Sequence, residues 1–284
     1  MSSSPSPPPT SSSLPLVVRR LRAAGCVFAE DEARLLLEAA RTAAELAAMV
    51  DCRVAGQPLE HILGWAEFCG LRIAVDAGVF VPRRRTEFLV QQALDQAGAS
   101  PGAVVVDLCC GSGAVAVALL AALPCAEVHA ADVEPAAVRC AWRNLAAAGG
   151  RVHEGDLFAA LPGALRGRVD VLVVNAPYVP TDAIGLMPPE AREHEPRLAL
   201  DGGTDGLDVL RRVVAGAPSW LAPGGSLLLE TSAQQAPSLV DALAGTELLA
   251  RIVVSDELAA TAVIAAFPGG DPASSERGGR WSAR

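Results

Sequence analysis

Asn175-Ala176-Pro177-Tyr178 offers the most specific chemistry in the sequence, and it directly follows the apolar run 169–174. A run this rich in β-branched residues predicts a strand covered on both faces. Open α/β sheets bind ligands beyond the carboxyl ends of such strands. Asn175 supplies an amide oxygen and an NH2 group, while Pro177 keeps the backbone from turning straight into a helix. Together they can hold a planar amide or amidine. Taken alone, the tetrapeptide reads equally as a strand followed by an Asn-Pro turn.

A second constellation lies upstream. Residues 104–113, VVVDLCCGSG, read as a strand, a glycine loop and the start of a helix. Gly111-Ser112-Gly113-Ala114-Val115-Ala116 fits the dinucleotide G-x-G-x-x-A pattern, with Asp132 at a spacing suited to ribose hydroxyls. Asp107 separates two readings of that loop. A carboxylate there repels a pyrophosphate but attracts the ammonium of S-adenosylmethionine, which carries no phosphate. A third acid, Asp156 in Gly155-Asp156-Leu157-Phe158, can accept from an exocyclic amine while an apolar neighbour packs on the ring. Singly, each acid reads equally as a cap or turn residue; together they point to an adenosyl ligand.

Composition narrows the classes. The 284 residues are 51% hydrophobic, enough for a large core plus a smaller unit. A net charge of −9 opposes general nucleic-acid binding. Lysine is absent, which removes Walker-type loops and Schiff-base chemistry. The seven cysteines contain no C-x-x-C pair and read as reduced, packed thiols, so no metal site is expected. His61, His129, His153 and His194 are scattered and read as structural or exposed. With no membrane span and no leader in the first residues, a soluble cytoplasmic protein is expected.

The elements that must position these residues are legible in order. Residues 1–15, almost all Ser and Pro, read as a disordered tail, and 16–55 as a small helical domain suited to docking a substrate. Residues 56–82 read as a β-hairpin linker, and Arg83-Arg84-Arg85 as a solvated corner. From 83 to 268, strands at 103–107, 127–132, 151–155, 169–175, 225–230, 248–253 and 260–267 alternate with helices at 114–123, 135–148, 206–217 and 234–244. That alternation predicts an α/β fold with a doubly wound, seven-stranded, mostly parallel sheet. Residues 269–284 read as a second disordered tail.

Over about residues 16–250 the sequence resembles the class I S-adenosylmethionine-dependent methyltransferases, and within them the release-factor glutamine N5-methyltransferases. Besides the tetrapeptide and both acid-bearing loops, the resemblance rests on 57–64 (QPLEHILG), 80–87 (FVPRRRTE), 195–203 (EPRLALDGG) and 222–225 (APGG). It implies S-adenosyl-L-methionine as cofactor and a peptide chain release factor as partner. No membrane partner is expected, nor nucleic acid except indirectly, and a monomer is expected. It assigns the catalytic role to Asn175, Ala176, Pro177 and Tyr178. Cofactor binding falls to Asp107, Cys109, Gly111, Gly113, Asp132, Val133, Asp156, Leu157 and Asn175.

The chain departs from the family at four positions and in its C-terminal strands, which lack the family's usual closing pattern. Ala176 replaces a proline, Cys109 replaces a glycine, and Arg84 and Arg85 replace a proline and an acid. Two other functions are kept in view: a nucleic-acid exocyclic amino methyltransferase, which needs arginines gathered round Tyr178, and a binding module impaired toward its cofactor by Cys109.

Overall fold

The apolar spacing of the N-terminal segment forms α1 (Leu14–Ala23), α2 (Ala29–Ala39) and α3 (Ala43–Val54). The computed structural model describes residues 13–98 and 102–267. The expected tails therefore lie outside the described residues, except that α1 begins inside the first. Pro15 sits in its first turn, where a missing N–H loses no intrahelical bond. Glu30, Asp31 and Glu32 complement the dipole of α2, and Thr42 Oγ1 caps α3 by accepting from Glu45 N at 3.1 Å. Val17, Leu21, Leu36, Leu46 and Val50 close a small core between the three helices.

The segment expected as a hairpin linker holds more than a hairpin. One helical turn, α4 (Leu59–Leu63), comes first and is ended by Gly64 in the left-handed region at φ 77°. β1 (Trp65–Phe68) and β2 (Leu71–Ala74) then pair antiparallel through a Cys69-Gly70 turn. Both turn residues have positive φ, 51° and 72°, as a two-residue hairpin turn requires.

After α5 (Glu87–Ala97) the chain runs through β3 (Val104–Leu108), α6 (Ala114–Ala122), β4 (Glu127–Asp132), α7 (Pro135–Leu145), β5 (Arg151–Glu154) and β6 (Val169–Val174). It continues with α8 (Pro189–His194), α9 (Asp208–Gly216), β7 (Leu221–Thr231), α10 (Ala236–Leu243), β8 (Leu249–Ser255) and β9 (Ala260–Ala266). Helix α8 lies in a stretch where periodicity gave no signal. The sheet order is β5-β4-β3-β6-β7-β9-β8, with β9 antiparallel to both its neighbours and the other pairs parallel. This is the doubly wound, seven-stranded sheet the alternation predicts.

One face of the sheet buries Leu89, Leu119 and Leu145, and the other Leu210, Leu239 and Trp220. Burial on both faces explains why the central strands read as unbroken apolar runs. The path leaves β3 toward β4 on one side and returns as β6 on the other. That reversal opens a crevice at the carboxyl ends of β3 and β6.

Candidate functional site

In the parallel register Leu108 stands beside Val174, and Val174 beside Leu229. Residues just beyond β3, β6 and β7 therefore meet at one edge. The tetrapeptide emerges there and is pinned from below by residues 195–203. Val179 N donates to Leu200 O at 3.0 Å, and Gly202 N donates to Val179 O at 2.9 Å. Gly202 must lack a side chain, since a Cβ would lie 2.7 Å from the Pro177 carbonyl. Gln235 Nε2 donates to Tyr178 O at 2.9 Å.

These bonds occupy the Tyr178 and Val179 carbonyls but leave two other acceptors open. Asn175 Nδ2 donates to Thr86 Oγ1 at 3.3 Å, which fixes the amide with Oδ1 directed elsewhere. Among the described residues, neither Asn175 Oδ1 nor the Ala176 carbonyl receives a hydrogen bond. The Tyr178 hydroxyl donates to Glu230 Oε1 at 3.1 Å. Burial, followed by the Glu230 charge, pushes the phenol up to about 12. It therefore stays a neutral donor.

A cleft of about 340 Å³ runs from the tetrapeptide to the glycine loop, within the ~300–1,000 Å³ range of small-ligand sites. Its lining includes Asp107, Cys109, Gly111, Asp132, Val133, Asp156, Leu157 and all four residues of the tetrapeptide. Of the residues expected at the cofactor, only Gly113 is not brought there. It sits at φ 77° under α7, where a Cβ would stand 3.1 Å from Ala141 Cβ. Its lack of a side chain serves the packing of the loop against α7.

The acids are positioned by backbone donors. Asp107 is 2% exposed, and its Oδ2 accepts from Ala116 N at 3.1 Å in the first turn of α6. Burial raises its carboxyl to about 8. Asp132 accepts from Gly111 N at 2.8 Å and Glu134 N at 2.9 Å, so it shapes the loop as well as facing the cleft. Burial also pushes its carboxyl up. Asp156 is half exposed, and one of its oxygens accepts from Arg212 at 2.6 Å. Cys109 adopts φ 59°, a left-handed conformation unusual for a side chain, and burial followed by the nearby Asp132 pushes its thiol up. Such a thiol is a poor nucleophile.

Three arginines line the cleft, and each faces an acid. Arg83 bonds both oxygens of the buried Glu195 at 2.6 and 2.7 Å, Arg85 lies 3.5 Å from Glu230, and Arg212 holds Asp156. The expected solvated corner thus holds for Arg84 and in part for Arg85, whose side chain is 48% exposed beside Glu230, while Arg83 neutralises a buried carboxylate. Acids at one end and neutralised cations elsewhere suit a cationic adenosyl donor better than a pyrophosphate.

Sequence reasoning assigned nothing to Glu230, Thr86 or Arg212. A signal for Glu230 existed, since a lone acid closes the apolar run of β7 just as Asp107 and Asp132 close theirs. All seven cysteines are free, but only Cys110 and Cys140 are fully buried and Cys125 is exposed, so the packed reading holds only in part. Among the described residues no group of acids, cysteines or histidines is placed to hold a metal ion. His129 and His153 stack on each other at 5.1 Å, and His61 meets Val79 O; none of these three lines the cleft.

A family model of the methyltransferase small domain matches residues 70–186. The release factor glutamine methyltransferase of Geobacter sulfurreducens is 44% identical over 201 residues, 69% of each chain. The protein of the same name from Cereibacter sphaeroides is 39% identical over 263 residues, 85% of this chain and 91% of its own. A methyltransferase structure from Pyrococcus furiosus superposes with a TM-score of 0.53 at 15% identity, covering 70% of this chain and 89% of that one.

Proposed function

The chain belongs to the release factor glutamine methyltransferase family, and from that premise we propose that it transfers a methyl group from S-adenosylmethionine to the side-chain nitrogen (N5) of a glutamine in peptide chain release factors. The glutamine expected is that of the Gly-Gly-Gln motif, and the compartment is the cytoplasm, where those factors work. The observation that carries this reading is the pair of open acceptors, Asn175 Oδ1 and the Ala176 carbonyl, at the lip of an acid-lined cleft.

An amide nitrogen is a weak nucleophile because its lone pair is conjugated with the carbonyl. Two acceptors that take its two N–H groups aim the nitrogen and stabilise the positive charge that develops on it. Ala176 serves as well as proline here, because the acceptor is a backbone carbonyl. Tyr178 covers the flat target, and its tethered hydroxyl keeps the ring in one orientation. S-adenosylmethionine, when bound, supplies an electrophilic methyl on a sulfonium. Asp107 would hold its ammonium, Asp132 its ribose and Asp156 its adenine amine, with Val133 and Leu157 as apolar contacts.

Residues 16–55 are assigned to docking the protein substrate. Arg53, on α3, donates to Glu190 of α8 at 2.5 Å and so ties the helical unit to the segment that follows the tetrapeptide. The neutralised arginines of the cleft speak against the nucleic-acid alternative. The test is incubation with labelled S-adenosylmethionine and a release factor, followed by mass spectrometry of the Gly-Gly-Gln peptide. Label on the glutamine is expected; none there would overturn the substrate assignment.

A further inference from the structure

Behind the tetrapeptide, Glu230 is a carboxylate only 3% exposed, sealed within the sheet near the carboxyl end of β7. Burying an ionised carboxylate is costly unless its oxygens find donors. Oε1 accepts from the Tyr178 hydroxyl at 3.1 Å, and the Arg85 guanidinium stands 3.5 Å away. Oε2 is buried with no hydrogen-bond partner among the described residues. Glu230 does not itself line the cleft. It is therefore in no position to touch a substrate, yet it meets two of the side chains that surround one.

The hydroxyl of Thr86 carries one proton and already accepts from Asn175 Nδ2 at 3.3 Å. An asparagine amide is nearly symmetric in shape, so only such bonding decides which end faces the cleft. With Thr86 as acceptor, Nδ2 points back and Oδ1 points to the acceptor site. We propose that Glu230 is the positioning residue of Tyr178: by taking the Tyr178 hydroxyl proton it holds the ring over the target amide, beside the Asn175 Oδ1 that Thr86 directs to the same place. This rests on the methyl-transfer reading above, but its structural half can be tested without turnover.

Tyr178 is the only tyrosine in the chain. Tyrosine labelled with 13C at Cζ therefore gives one resonance that reports the bond to Glu230 directly. In Glu230→Gln that resonance should shift, while melting temperature and S-adenosylmethionine affinity stay near those of the native chain. An unmoved resonance would overturn the proposal whether or not the enzyme turns over. In methyl transfer, Glu230→Gln and Tyr178→Phe should each lower kcat by about tenfold or more, and the double variant should be little worse than either, because residues acting as one unit are not additive. Full kcat in Glu230→Gln, or losses that multiply in the double variant, would also overturn it. If the native chain labels no release-factor glutamine, the reading of function fails while the resonance still decides the role of Glu230.

Discussion

Asn175 holds the target through a single oxygen, so its loss should be felt in transfer and not in cofactor binding. Asn175→Ala is expected to lower kcat by on the order of 100-fold or more, the scale of removing one oriented transition-state hydrogen bond. Calorimetry should find S-adenosylmethionine affinity nearly unchanged; equal loss of both would misplace the site. Asp107 makes a prediction with a sign. Its ordinary value is 3.8 and burial raises it to about 8. Between those values the folded chain keeps a proton that the unfolded chain has lost, so stability contributed by this group falls as pH rises across that window. Asp107→Asn should flatten the fall seen in melting temperature. Pairing with the donor's ammonium would ionise Asp107, so cofactor binding at pH 7 should release a proton, read from calorimetry in buffers of different ionisation enthalpy. That release should vanish in Asp107→Asn. At Cys109 the left-handed backbone costs a side chain about 1 kcal/mol, and Cys109→Gly should tighten cofactor binding without lowering the melting temperature. Weaker binding by that variant would show that the thiol contributes a contact.

Among the elements, the join between the helical unit and α8 is the one most exposed to a single substitution. Arg53 is 7% exposed and its guanidinium is shared between Glu32 at 2.6 Å and Glu190 at 2.5 Å. Removing Arg53 strands the buried Glu32, whereas removing Glu190 leaves the inner pair intact. Arg53→Ala should therefore cost about 3–5 kcal/mol in urea unfolding, the scale of an unpaired buried charge. Glu190→Gln should cost only about 0–1 kcal/mol, as for a solvent-facing pair. Because α8 follows the tetrapeptide, Glu190→Gln should act mainly on KM for the protein substrate. Elements built on long periodic runs, such as β6 or α7, were legible in the sequence because burial on a face writes itself as spacing. Helices α4 and α8 were not, because five or six residues carry too little period, and tertiary contacts rather than propensity hold them.

Across the whole molecule, charge decides the class of partner. The net −9 and, among the described residues, the pairing of every cleft-lining arginine with an acid leave no basic face around Tyr178 there. Filter binding at physiological salt should show no retention of RNA, with any affinity weaker than the ~10⁻⁴–10⁻⁶ M of non-specific binders. Retention that falls steeply with salt would revive the nucleic-acid alternative. Among the described residues no helix is long and apolar enough to cross a membrane.

What the sequence determined by itself was local or periodic: seven apolar strands, the helices between them, a glycine loop led by an acid, and an Asn-Ala-Pro-Tyr segment at a strand end. Each was legible because a few adjacent residues, or a repeat of two or of 3.6, carried it. What only the tertiary structure decided depends on residues far apart in the chain. Parallel register brought β3, β6 and β7 together, so that Tyr178 met Glu230 while Asn175 met Thr86. It set Arg83 and Arg85 against buried acids, and it packed Gly113 into the seam with α7. A strand order chosen by the packing of two cores places these groups, and no spacing in the sequence encodes which loop ends will share an edge. The tetrapeptide could be found by reading; the direction in which its asparagine points is fixed by a threonine 89 residues earlier, and the setting of its tyrosine, on our proposal, by a glutamate on another strand.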